Sequence, residues 1–191
     1  LHFNLLDRKS KELSEPRIIP WLRRYRNQNF FLYLHYNYPH APYNPPEPYQ
    51  NMFPSSQETR ISKSISNYDG EIRFTDDDIK KLLNELKSLG IYNKTFITIT
   101  SDHGEAFGEH GDFLHGHTIY EEQLRVPLII KTPLSSAGII IESPVRTIDI
   151  TPTIIDYVGI LKDTRFEGSS FSPLLEDKQT LPKERDILIQ H

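Results

Sequence analysis

The apolar positions of this chain change period several times, and each change marks an element. Phe30-Phe-Leu-Tyr-Leu-His-Tyr is a near-continuous apolar run, the pattern of a strand buried on both faces. From about Ser56 to Leu89 the period becomes helical: Ile72, Ile79, Leu82, Leu83 and Leu86 share a face, and Asp76-Asp-Asp precedes Ile79 as the negative charge expected at a helix start. Gly90 closes that helix and Asn93-Lys94 turns into Thr95–Thr100, an alternating stretch of β-branched residues that predicts a strand. Residues 118–125 predict a short helix and Val126 to Thr132 a further buried strand. Gly138 to Ser143 and Val145 to Ile148 are expected as edge strands; Thr151-Pro152 then caps a helix from Thr153 to Val158, stopped by Gly159. Nearer the start, Ser14-Glu-Pro-Arg resembles a helix start, and Pro20 offers a second one running to Asn27. Leu161 to Pro173 reads as loop and Arg185 to Gln190 as a strand. Strands alternating with helices place the chain in the α/β class.

Composition narrows the function. The 191 residues suit one domain, carry a formal charge of −4 and show no basic stripe, so nucleic acid is excluded as a partner. No run has the apolar length of a membrane span, and the first residues do not read as a signal peptide. With no cysteine, disulfides and thiolate metal sites are excluded and the compartment stays undetermined.

Chemistry gathers where the strand at Thr95–Thr100 ends in Ser101-Asp102-His103-Gly104. In open α/β sheets, ligands bind beyond the carboxyl ends of strands, so an Asp-His pair there sits where a metal or an anion would lie. A carboxylate with an imidazole suits zinc, manganese or iron, and calcium could use part of the set. Taken alone the tripeptide reads equally as a turn, with Asp102 capping the next segment. Its company favours a site: His103, His110, His115 and His117 are half of the eight histidines and lie among Gly104, Gly108, Gly111 and Gly116. His40 sits in the Pro-rich turn Pro39-His-Ala-Pro-Tyr, a position that by itself is more often structural. His35, inside the first apolar run, reads as a core or supporting residue, and Tyr43 and Tyr49 as loop packing. Three adjacent aspartates at 76–78 point in different directions on a helix, so they read as a solvated first turn with one hydrogen-bonding side chain rather than as a metal site.

Ser101-Asp-His-Gly-Glu, Gly108-Glu-His-Gly, His115-Gly-His-Thr-Ile-Tyr-Glu-Glu and Arg125-Val-Pro-Leu-Ile-Ile together resemble the central segment of the sulfatase family, in the alkaline phosphatase superfamily. Pro39-His-Ala-Pro-Tyr upstream, and Asp149-Ile-Thr-Pro-Thr-Ile-Ile-Asp-Tyr-Val-Gly-Ile and Gly168-Ser-Ser-Phe-Ser-Pro-Leu-Leu downstream, resemble further blocks in the family's order, over about residues 29 to 175. The resemblance implies a three-layer α/β/α fold with a largely parallel, mixed central sheet, incomplete at the N-terminus, and a partial catalytic domain over 1–191 in which 176–191 opens a small C-terminal subdomain. It implies a metal-dependent sulfuric ester hydrolase acting on a sulfated small molecule or glycan. By the same resemblance Asp102 and His103 are ligands of one divalent ion: calcium by family, with manganese or zinc open because His103 stands where many members carry Asn. His40 matches the histidine that hydrogen-bonds the sulfate, and His115 the Lys or His beside sulfate and leaving group, with anion-binding and general-acid roles. His117 divides equally between site and loop packing; His110 and Glu105 are read as loop residues, and a cap-and-turn role suffices for Asp149.

The family's nucleophile, a Cys or Ser in Cys/Ser-x-Pro-x-Arg that becomes formylglycine, has no counterpart here, nor has its first pair of aspartate ligands. A C-terminal fragment and a degenerate protein both explain this, and an opening without Met or a first strand favours the fragment. The expectation is that these residues alone do not turn over substrate and that their parent does. Two alternatives accompany the sulfatase reading: a phosphodiester or phosphonate hydrolase, or phosphoethanolamine-type transferase, of the same superfamily, and a non-catalytic binding module with the same fold. Oligomeric state is not legible.

Overall fold

The computed structural model describes residues 2–5, 17–55, 57, 59–133, 135, 138–160 and 165–175. These residues form two compact units, one of residues 1–95 with 107–114 and one of 96–106 with 115–191.

In the first unit, strand β1 (His2–Leu5) runs parallel to β2 (Tyr33–Tyr36), with Phe3 opposite Leu34. The pattern at 1–11 carries no clear period, so β1 is absent from the sequence reading. β2 is shorter than the apolar run, and its residues alternate between exposed and half-buried. Phe31, Tyr33 and His35 are exposed, with the Tyr33 and His35 rings edge to face at 6.5 Å, which corrects both the doubly buried strand and the core placement of His35. Helix α1 (Ile18–Tyr25) starts between the two expected points. Pro20 falls in its first turn, where a missing N–H costs nothing because first-turn donors have no intrahelical acceptor. Ile18, Ile19 and Leu22 are buried, and Trp21 packs on Tyr25 and Phe30 at 5.1 and 5.4 Å.

Helix α2 (Arg60–Ser88) is capped by Thr59, whose hydroxyl accepts from the N–H of Ser62 while the Ser62 hydroxyl accepts from the N–H of Thr59. The three aspartates therefore lie in mid-helix and not at its start, a correction that follows from a cap seventeen residues earlier than the charges suggested. They do diverge. Asp76 and Asp77 face Arg73, Asp77 also accepts from Tyr49 Oη at 3.1 Å, and buried Asp78 accepts from Tyr36 Oη at 3.1 Å. Burial of its ring, and then the charge and hydrogen bond of Asp78, push the Tyr36 hydroxyl far above its ordinary range. The buried face thus reads Glu71, Phe74, Asp78, Leu86, with Tyr38 and Tyr49 against Phe74. Loop 44–51 lies tight on this face: a Cβ on Gly70 would sit 2.6 Å from the Tyr49 carbonyl, and the Asn44 N–H donates to Glu71 at 2.7 Å. Tyr43 packs with Tyr68 and Phe107, so both loop tyrosines anchor the loop as expected.

In the second unit, β3 (Ile97–Thr100) pairs antiparallel with β6 (Leu128–Lys131), Thr100 lying opposite Leu128. Between them along the chain come two two-residue strands, β4 (Ala106–Phe107) and β5 (Phe113–Leu114), of which β5 and Phe107 belong to the first unit, and then the short helix α3 (Glu121–Leu124) of the second unit. β6 is half-buried rather than buried, with Ile129 exposed. The ladders of the described residues are two-stranded, β1–β2 parallel and β3–β6 antiparallel with β4 beside β5, so the α/β fold is present as a part with small mixed sheets.

Gly138 to Ser143 and Val145 to Ile148 are not strands. A turn of 3₁₀ helix, Thr147–Asp149, leads instead into α4 (Ile150–Tyr157). At 145–148 the cause is Asp149, fully buried, which accepts from the Arg146 backbone N–H at 3.0 Å, from its guanidinium at 2.9 Å and from the Ser169 N–H at 2.8 Å. A backbone bent to deliver those donors cannot extend. Thr153 and Asp156 complete the staple: Thr153 Oγ1 accepts from the Phe171 N–H at 3.0 Å, and Asp156 accepts from Ser170 and Ser172 at 2.6 and 2.5 Å, docking α5 (Ser172–Leu175) on α4. The strand expected at Arg185–Gln190 and the subdomain at 176–191 lie outside the described residues.

Candidate active site

β3 ends at Thr100, and the next four residues turn on their own hydrogen bonds. The Ser101 hydroxyl donates to the His103 carbonyl at 2.7 Å, and the His103 N–H donates to Asp102 Oδ1 at 3.1 Å. His103 Nδ1 lies 2.8 Å from the Gly104 carbonyl, which can only accept, so Nδ1 carries the proton and Nε2 the lone pair. That Nε2 is 3.9 Å from Asp102 Oδ2, and the Asp102 side chain is largely exposed. An outer hydrogen bond that fixes the tautomer is the usual support of a ligating histidine. Metal–ligand bonds of about 2.0–2.6 Å span a gap of this size, so the two residues fit a divalent ion as two of its ligands. Among the described residues no group of three or more His, Asp or Glu side chains closes a full site.

Gly104 has to be glycine for a tertiary reason. Its N–H donates to the Gln123 carbonyl at 2.8 Å, and a Cβ would stand 2.1 Å from the Glu122 carbonyl oxygen at the end of α3. The same helix holds the loop that carries His115. Buried Gln123 accepts from the Gly116 N–H at 3.1 Å and donates to Thr118 Oγ1 at 2.8 Å. His115 then stacks on His103 with ring centroids 3.8 Å apart and planes 26° from parallel. Its Nδ1 donates to Glu105 Oε1 at 2.9 Å, and the Glu105 side chain is only 4% exposed.

The structure therefore brings Asp102, His103 and His115 together in the second unit. His40 belongs to the first unit, exposed between cis-Pro39 and cis-Pro42, its Nδ1 on the Ala41 carbonyl at 2.8 Å. His110 and His117 are exposed. Two site-building residues are missing from the sequence reading. Glu105 is taken there as a loop residue and proves to be His115's partner; the only signal was an acid in a histidine-rich segment. Gln123 had none, because a glutamine on a four-residue helix is unremarkable until the Gly116 and Gly104 backbones are placed beside it.

A sequence model of the family described as Sulfatase matches residues 6–160 of this chain. The chain belongs to the sulfatase family. An N-acetylglucosamine-6-O-sulfatase of Bacteroides thetaiotaomicron is 34% identical over 126 residues, 65% of this chain and 22% of its own length. An N-acetylglucosamine-6-sulfatase of Bos taurus is 27% identical over 195 residues, 86% of this chain and 35% of its own. Among solved structures, a phosphonate monoester hydrolase from Silicibacter pomeroyi superposes with a TM-score of 0.74 at 27% identity, over 82% of this chain and 39% of that one. This sulfatase-family chain thus spans between a fifth and two fifths of the length of these relatives. The fold is the alkaline phosphatase-like α/β fold its motifs implied, here a part with small sheets.

Proposed function

We propose that this chain carries the leaving-group side of a sulfuric ester hydrolase site, and that its substrates are sulfate esters of sugars. The observation that supports the reading most is the His103–His115 stack beside Asp102, in a chain related to two N-acetylglucosamine sulfatases. Asp102 and His103 would hold a divalent ion, calcium by family or manganese or zinc by the imidazole donor, which supplies positive charge to the non-bridging oxygens. In its doubly protonated form His115 gives the proton on Nε2 to the ester oxygen as the S–O bond breaks and its electron pair moves onto that oxygen; Nδ1–H stays on Glu105 throughout, so the ring is left as the neutral Nδ1–H tautomer. His40 we assign to sulfate binding, its ring anchored through Nδ1 so that Nε2 is the atom meeting the anion. The sequence has no cysteine and no Cys/Ser-x-Pro-x-Arg motif, so no residue here is assigned as nucleophile, and these 191 residues alone are proposed not to turn over substrate.

The test is sulfate release from glucosamine 6-sulfate and 4-nitrophenyl sulfate by the intact protein, with D102A and H115A for comparison. Release by wild type, lost on both esters in D102A and on glucosamine 6-sulfate in H115A, is the expected result; no release by wild type from either ester refutes the reading. A second reading, phosphonate monoester hydrolysis, is favoured by the superposition on the Silicibacter pomeroyi enzyme. Turnover of a phenyl phosphonate monoester in preference to both sulfate esters would establish it instead.

A further inference from the structure

We infer that Glu105 is the positioning residue that sets the tautomer and the ring orientation of His115; this rests on the reading of His115 as leaving-group acid and deepens it. His115 sits on a loop with positive-φ glycines on either side of it in sequence, Gly111 and Gly116, so its own backbone does little to restrain the ring. Three contacts do. The loop is tied down where Gln123 accepts from the Gly116 N–H, the ring plane is set by the stack on His103, and rotation within that plane is set by the bond from Nδ1 to Glu105.

The last contact is the one that decides chemistry. A stacked imidazole keeps its stacking when flipped by half a turn, but the flip puts Cδ2 where Nδ1 stood and Cε1 where Nε2 stood, which turns a carbon toward Glu105 and moves Nε2 off the leaving oxygen. Only the hydrogen bond distinguishes the two orientations. With Nδ1–H committed to an acceptor-only carboxylate, Nε2 is the atom delivered to the leaving oxygen in each turnover. Glu105 is itself nearly sealed from solvent, and a carboxylate so placed is held by its partners and has little freedom to wander. Its place two residues after His103 also carries the rigidity of the Ser101–Gly104 turn to the neighbouring loop.

A sugar alkoxide needs a proton to leave, whereas 4-nitrophenolate does not, so the two esters separate positioning of the acid from damage to the site as a whole. In the intact protein, E105A should lower kcat on glucosamine 6-sulfate by about a hundredfold with KM little changed, and lower kcat on 4-nitrophenyl sulfate by less than about threefold. E105Q keeps an acceptor for Nδ1–H and should restore most of the lost rate. Nitrogen NMR of His115 should show Nδ1–H in wild type and E105Q, and a move toward Nε2–H in E105A. Equal losses on both esters, or an unchanged tautomer in E105A, overturn the inference. A wild type that releases sulfate from neither ester overturns the proposed function instead, and the nitrogen shifts then decide the role of Glu105 by themselves.

Discussion

Gly104→Ala tests the architecture of the site without touching any of its functional groups. The added Cβ would lie 2.1 Å from the Glu122 carbonyl oxygen, 3.0 Å from its carbonyl carbon and 3.3 Å from the Gln123 Cα, all of them backbone atoms. No flexible side chain can move aside, so one backbone must retreat by roughly 1 Å to reach ordinary contact. The Gly104–Gln123 hydrogen bond, at 2.8 Å, breaks first. Overpacking of this kind costs about 1–3 kcal/mol, which at about 2–4 °C per kcal/mol for a chain of this size lowers Tm by about 2–12 °C. The functional effect should be larger. Gly104 follows His103, and Gln123 holds the His115 loop, so the retreat separates the two stacked rings; a misplacement of about 1 Å costs on the order of a hundredfold in rate. Thermal melting followed by circular dichroism, with kcat on glucosamine 6-sulfate, measures both. A Gly104→Ala protein that melts with wild type and keeps its rate would refute the claim that close approach of α3 holds the site together.

Removal of either proposed ligand, by D102A or H103A, should weaken divalent-ion affinity by at least about tenfold in calorimetric titration while Tm of the ion-free protein stays near wild type, since neither side chain is buried. Asp149→Ala leaves the Arg146 guanidinium and the Ser169 N–H without their buried acceptor and should destabilise by about 3 kcal/mol, read as a shift of the denaturation midpoint. Tyr36 adds a pH dependence. Its folded-state pKa lies above the ordinary 10.0, so its contribution is fully present below about pH 10 and is lost as pH rises further, at up to about 1.4 kcal/mol per pH unit. Tyr36→Phe should flatten that alkaline slope in urea titrations at successive pH values, and an unchanged slope would place its origin elsewhere.

What could be read without coordinates was the chemistry that is contiguous along the chain. Ser101-Asp-His-Gly closes a β-branched strand, and both the turn and the Asp-His donor pair follow from residues within five positions of one another. The helix at Arg60–Ser88 was likewise legible from its period, because an amphipathic stripe is a local record of a buried face. Its register was not: the buried face carries Glu71 and Asp78, which no hydrophobic pattern marks, and their burial depends on Asn44 and Tyr36, at least 27 residues away in sequence. The same limit explains the lost strands at 138–148. Ile139, Ile140 and Ile141 have the residue types of a strand, yet strand formation needs a partner edge and they join no ladder among the described residues; at 145–148 Asp149 draws the backbone into a cap instead. Residue type and spacing along the chain determined that an Asp-His donor pair ends a strand. Tertiary packing alone decided which histidine stacks on it, that Glu105 orients that histidine, and that Gln123 holds both loops, because those contacts join backbones that meet only once the chain has folded.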